Sequence, residues 1–246
     1  MEGLKEAIKY IADLGAEAEK PQVMEILGKT YVNKNMKECS RMNYPDPLYA
    51  STLTSLVDYI INLSNEISAG RLVVQITSEN SVELKTELDS EGKRCCLMKV
   101  QPKLPRLCID QWLDQESFMI MMQSCFMENE NRKNLLKVAG NVESQTVQSY
   151  GDDGVTQKAT IKSGIASKAD VIVPGRVELV PYRTFLEVEQ PASEFVFRIR
   201  DDKEPMFKLV EADGGAWKMA AMSHIRCYIV EQLEQEVKEG KVIVLA

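Results

Sequence analysis

The sequence predicts an α+β fold: N-terminal helices, an antiparallel β-meander, a central helical segment, and a C-terminal antiparallel sheet packed by a long C-terminal helix. Three observations predict it. Apolar residues recur at helical spacing from Ser51 toward Gly70, and from Leu72 to Val100 the period falls to two. Between Val180 and Val237, alternating segments broken by Pro and Gly lead through Asp213-Gly214-Gly215 into one long amphipathic stretch.

Taken in order, Glu2 to Ala18 places Leu4, Ala7, Ile8, Ile11 and Leu14 on one face, a short docking helix that Pro21 ends. The polar stretch from Asn33 to Asn43, closed by Pro45 and Pro47, reads as a linker. Residues 1–45 therefore form a helix-and-linker arm, and 46–246 one α+β domain with a candidate subdivision near 141. From Ser51, the stripe Leu53, Leu56, Val57, Ile60, Ile61 and Ser64 gives a second helix with Gly70 as its C-terminal cap. Three strands with turns at Glu79-Asn80 and Ser90-Glu91-Gly92 follow, and Pro102 and Pro105 close the meander.

Ile109 to Ala139 reads as one broken helix or two consecutive ones, with Phe118, Met121, Met122, Cys125 and Phe126 inward and the break at Glu128 to Arg132. From Asn141 to Lys162, two polar strands flank Gly151-Asp152-Asp153-Gly154, residues that favour a tight hairpin. Further strands are expected at Val171 to Val173, Glu178 to Val180, Phe185 to Glu189, Phe195 to Arg200 and Phe207 to Glu211. The final helix spans about Ala216 to Lys238, and Lys241 to Leu245 is a closing strand.

A net charge of −7 opposes binding to duplex nucleic acid unless a local basic stripe works against the global field. No apolar run is long enough to span a bilayer, and the opening MEGLKEAIKY lacks a signal-peptide core, so the expectation is a cytoplasmic protein without a membrane segment. Six cysteines with no CxxC spacing fit reduced thiols used as small apolar side chains. The adjacent Cys95 and Cys96 point to opposite faces of a strand and cannot share a metal.

The single histidine, His224, has no second imidazole and reads as structural, so no metal, cofactor or catalytic residue is assigned. Asp152 and Asp153 are turn formers, and Asp213 is a helix cap rather than part of a phosphate cradle. Two basic groups remain: Lys99, Lys103 and Arg106, and, in the C-terminal sheet, Arg183, Arg198 and Arg200. The candidate ligand-binding residues are Tyr182, Arg183, Arg198 and Arg200, with Tyr182 stacking on a base and Arg183 pairing with the phosphate of a small nucleotide.

The C-terminal run VPGRVELVPYRTFLEVEQPASEFVFRIRDDKEPMFKLVEADGGAWKMAAMSHIRCYI resembles the YfdQ-like family of uncharacterised bacteriophage and prophage proteins. The resemblance extends from about Leu53 to the C-terminus and implies a phage-encoded cytoplasmic protein; the family brings no catalytic residues to transfer. The first reading is a non-catalytic accessory protein acting by binding and self-association as a homo-oligomer, sequestering a host protein or a nucleotide signal in counter-defence. The alternatives are a self-assembling, shell-like phage protein, whose polar strands at Asn141 to Lys162 gain from intersubunit pairing, and a carboxylate- and metal-dependent nucleotide-processing enzyme using Glu187 and Glu189 from one strand face.

Overall fold

The structure is a computed structural model that describes residues 2–26, 29–32, 45–62, 70–89, 92–142, 148–149, 157–162, 168–173, 175–201 and 204–246. The expected linker at Asn33 to Asn43 and the turn Gly151 to Gly154 lie outside these residues, as does Cys39. The chain divides into two units, Met1–Tyr44 and Pro45–Ala246.

In the first unit, α1 (Glu2–Ala18) is followed by a hairpin of β1 (Val23–Ile26) and β2 (Lys29–Val32), with Val23 opposite Val32 and Met24 opposite Tyr31. The helix is the one the apolar spacing predicts; the hairpin was not anticipated, because four-residue strands carry too little alternation to stand out. No residue of α1 is buried.

The second unit is α+β, with two hydrophobic cores. It begins with β3 (Leu48–Ala50) and α2 (Leu53–Asn62); of the predicted stripe, Leu53, Leu56, Val57 and Ile60 are buried, Ile61 is 52% exposed, and Ser64 lies outside the described residues. The stretch between Asn62 and the expected cap at Gly70 lies outside the described residues. Then come β4 (Leu72–Ser78), β5 (Ser81–Thr86) and β6 (Cys96–Val100), the predicted antiparallel meander.

The central helical segment is two helices, α3 (Gln115–Cys125) and α4 (Glu130–Asn141). Each starts on a side chain that accepts a backbone N–H three residues on: Asp114 from Ser117 N at 2.9 Å and Asn129 from Arg132 N at 2.8 Å. Between them the backbone is extended at Phe126. There it bridges to Pro181, and Met127 N donates to Val180 O at 2.8 Å, which sets the break just ahead of where the sequence suggests it.

A small antiparallel sheet follows, made of β7 (Gln148–Ser149), β8 (Gln157–Lys162) and β9 (Lys168–Val173). Next comes the C-terminal antiparallel sheet of β10 (Arg176–Leu179), β11 (Ser193–Asp201) and β12 (Pro205–Glu211). The chain ends with α5 (Trp217–Gln232), α6 (Glu234–Lys238) and β13 (Val242–Leu245); the one long helix the sequence suggests is interrupted at Leu233, where φ is −112° and ψ is 32°.

The larger sheet has the order β13-β4-β5-β6-β3, antiparallel through the meander and parallel at both edges. This changes which helix covers which sheet. The expectation that the C-terminal helix packs on the C-terminal sheet is corrected: Ile225, Ile229 and Leu233 bury against the meander, together with α2, while β10–β12 bury against α3 and α4. The reason is β13, which returns beside β4 and takes α5 and α6 with it to the meander.

The second core is aromatic. Phe118 of α3 stacks against Phe207 with ring centres 5.1 Å apart and lies 5.6 Å from Phe197, while Phe126 meets Phe195 edge-on at 6.1 Å. Alternation along β11 is as read: Phe195, Phe197 and Ile199 are buried, with Arg198 and Arg200 on the other face.

The expected strand at Phe185 to Glu189 is absent, and turns occupy its place. Phe185 and Val188 both enter the first core, and residues three apart share a face in a turn but not in a strand. Three apolar residues near one another suggest alternation, but only one of the intervening positions is polar.

Candidate functional site

The segment between β10 and β11, residues 180–192, joins the two cores of the second unit, and the predicted ligand residues Tyr182 and Arg183 sit on it. It is tied at nearly every step. Tyr182 N donates to Cys125 O at 2.8 Å, and the Thr184 hydroxyl donates to Glu79 O in the β4–β5 turn at 2.6 Å. The Gln190 side chain closes the loop from inside, its Oε1 accepting from Arg183 N and Thr184 N at 3.0 and 3.2 Å and its Nε2 donating to Phe185 O at 2.8 Å. A buried amide with this many backbone partners fixes a turn that has no ladder of its own.

Arg183 is 7% exposed. Its guanidinium donates through Nη1 to Glu211 Oε1 at 2.6 Å and through Nη2 to the Ser193 hydroxyl, with Trp217 3.8 Å from the guanidinium carbon to the ring centre. Ser193 in turn donates to Asp213, whose other carboxylate oxygen accepts from Gly215 N at 3.0 Å. Burial works to raise the Asp213 carboxyl, but the hydrogen bonds from Ser193 and Gly215 and the charge of Arg183 outweigh it, and the group lies below its ordinary value. Burial also draws the Arg183 guanidinium downward against the pull of Glu211 and Asp213; the base is strong enough to stay charged.

This cluster is a structural clamp on the end of α5, and the phosphate role expected of Arg183 is not available to it. One side of the guanidinium is taken by the Glu211 carboxylate, the other by the Ser193 hydroxyl and the Pro191 carbonyl, and its planar face by an indole. The N-cap position itself is Ala216, which makes no side-chain bond; Asp213, the cap the sequence suggests, stands three residues earlier, closing a tight turn onto Gly215 and also stabilised by the Trp217 backbone N–H at the start of α5. Gly214 and Gly215, at φ 63° and 81°, give the left-handed conformations that turn requires.

Arg198 and Arg200 lie on the opposite face of β11 from the clamp, so the four predicted ligand residues do not form one site. Arg200 stands over the ring of Trp112 at 4.9 Å, and Lys208, which pairs with Asp110 at 2.7 Å, approaches the same ring at 5.5 Å. Sequence reasoning missed Trp112 and Lys208. The edge segment bonded to β12 through Asp110 and Leu113 brings them there, and no local pattern announces that contact. In the other basic group, Lys99 pairs with Glu83 at 3.6 Å, and the Glu83 carboxyl lies below its ordinary value chiefly through its hydrogen bond from Lys85 at 2.7 Å, with Lys99 adding to it; Lys103 and Arg106 are exposed in the loop after β6.

Glu187 and Glu189 do not share a strand face. Glu187 Oε1 accepts from Leu53 N at 2.7 Å and so caps α2 from a distant loop, while the Glu189 carbonyl accepts from His224 Nδ1 at 2.8 Å. His224 is therefore a clip between α5 and the loop. Replacing Glu187 with Ala is expected to lower stability by about 1 kcal/mol in urea unfolding, the usual worth of an N-terminal cap, with no change in fold. Burial pushes both the Cys95 and Cys96 thiols up, which keeps them protonated and unreactive. Among the described residues, no group of three or more His, Cys, Asp or Glu could hold a metal ion, and no helix is long and apolar enough to cross a membrane.

No protein-family model matches the chain, and neither the curated proteins nor the solved structures contain a significant match.

Proposed function

We propose that the protein acts by binding and self-association rather than by chemistry, with α1 as its association helix. The observation that carries this reading is the uncovered apolar stripe of α1. Leu4, Ile8, Ile11 and Leu14 are 69, 59, 68 and 49% exposed in a helix whose other residues are charged or small apart from Tyr10, itself 67% exposed. Leu4, Ala7, Ile11, Leu14 and Ala18 follow the 3-4-3-4 spacing by which helices pair, with Ile8 widening the seam. An isolated helix of this length is marginal in water, so a partner that covers the stripe also supports the helix itself. Covering four aliphatic side chains of this exposure is worth roughly 4–7 kcal/mol per copy, before the cost of association.

The partner that fits best is α1 of a second copy, because the repeat is self-complementary and its small residues, Ala7, Gly15 and Ala18, let two backbones approach. The accessory role in a phage or prophage that the YfdQ-like resemblance implies belongs to the same reading: a protein that sequesters a partner gains avidity from being an oligomer. Exchanging Ile8 and Ile11 for Lys is expected to reduce the molecular mass seen by light scattering. The far-ultraviolet signal of the second unit should be unchanged, since both side chains are exposed within one copy. A variant with the wild-type mass would refute α1 as the contact.

A further inference from the structure

We propose that α1 joins α1 of a second copy antiparallel, about a two-fold axis level with Lys9, so that Leu4 of each helix packs on Leu14 of the other and Ala7 on Ile11. This rests on the self-association reading above and gives it one defined geometry. Every side chain of the first unit that the structure describes is exposed, from Glu2 to Glu25 and at Tyr31 and Val32. The apolar face of α1 is therefore fully open within one copy, Leu4, Ile8, Ile11 and Leu14 included.

The order of large and small residues sets the direction. In the seam Leu4, Ala7, Ile11, Leu14, only the second place is small. In a parallel pair like meets like, so Ala7 faces Ala7 between layers of Leu4 and Ile11, and a thin layer between two thick ones leaves a void. In the antiparallel pair position 4 faces 14 and 7 faces 11, and every layer holds at least one large side chain. The flanks follow. Two antiparallel helices meet with the same flank of each, which brings Ile8 against Ile8 of the second copy on one side and Tyr10 against Tyr10 on the other. A parallel pair sets Ile8 beside Gly3 instead, which cannot cover it.

Charge points the same way. Glu2, Lys5, Glu6 and Lys9 balance in the first half of the helix, whereas Asp13 and Glu17 make the second half acidic. Parallel pairing lays the two acidic halves together. Antiparallel pairing lays each along the half that holds Lys5 and Lys9, and sets the two helix dipoles in opposite directions. A second copy is the occupant these features fit, because the same four residues supply both sides of every layer. The contact is isologous and closed by its two-fold, so α1 builds a dimer and not an open chain.

The test is oxidative cross-linking of the full chain with copper phenanthroline, the linked peptides being identified by mass spectrometry, which separates them from any link made by the native cysteines. Leu4→Cys and Leu14→Cys, each shown by light scattering to keep the wild-type mass, are oxidised alone and as an equimolar mixture. The main product expected is a link between positions 4 and 14, formed only in the mixture. Neither variant should link to itself, since the two copies of position 4 then stand roughly 15 Å apart along the helices at about 1.5 Å per residue. Ile8→Cys leaves the four layers intact and is expected to link to itself; where the leucine replacements lose the pair, position 8 decides alone. Self-links at positions 4 and 14, with none between them and none at position 8, overturn the antiparallel pair and leave the α1 contact standing. A wild-type dimer in which none of the three variants links, or a wild-type chain that is monomeric throughout, overturns both.

Discussion

Arg183→Ala is expected to lower the unfolding free energy by about 3 kcal/mol or more, the size seen when one partner of a buried ion pair is removed. The side chain is 7% exposed and joins Glu211, Ser193 and, through Ser193, Asp213, while its face covers Trp217. Its loss leaves the buried end of that network without its cation and opens a void beside the first turn of α5. Arg183→Lys is expected to recover only part of the loss, because one ammonium cannot serve two diverging acceptors and lie flat on an indole. The clamp also joins the loop to the end of β12, so the defect should spread to both cores. Urea unfolding followed by the fluorescence of Trp217 and Trp112 measures it; stability within about 0.5 kcal/mol of wild type would show that the cluster contributes no more than an exposed pair.

Phe118→Ala is expected to cost about 3–5 kcal/mol, since the ring is fully buried between Phe197 and Phe207 and neither of those two can collapse into the gap without leaving its sheet. Phe118→Leu fills most of that volume and should cost less than half as much. The contrast separates loss of packing from loss of the α3–sheet contact as a whole. Equal losses for Ala and Leu, read from chemical unfolding midpoints at constant slope, would contradict the account of this core.

The parts of the fold that rest on local period were legible in the sequence. The stripe of α2, the alternation of β4 to β6 and β11, and the buried face of α3 each lie within one element, where spacing alone says which side turns inward. The parts that failed depend on contacts between distant residues. Nothing within Val242–Leu245 says that it pairs with β4, yet that pairing decides that α5 covers the meander and leaves the C-terminal sheet to α3 and α4. Phe185 and Val188 read as strand residues because the side chain that holds their turn, Gln190, is an ordinary polar residue until its partners are known.

The candidate site failed for the same reason. Arg183 reads in the sequence as a phosphate-pairing residue, but Ser193 and Glu211, which take its hydrogen bonds, and Trp217, which takes its face, come from three other elements and form no motif. Glu187 likewise looked like half of a carboxylate pair and is the cap of a helix more than a hundred residues away in sequence. What remained legible, and what the structure leaves exposed, is the apolar face of α1.

The most direct test of the central claim is the mass of the full chain by sedimentation, with and without the Ile8→Lys/Ile11→Lys exchange. The account predicts a wild-type species heavier than the 27.7 kDa chain that becomes lighter when the α1 stripe is charged. A wild-type chain sedimenting as a 27.7 kDa monomer at every concentration tried would contradict it.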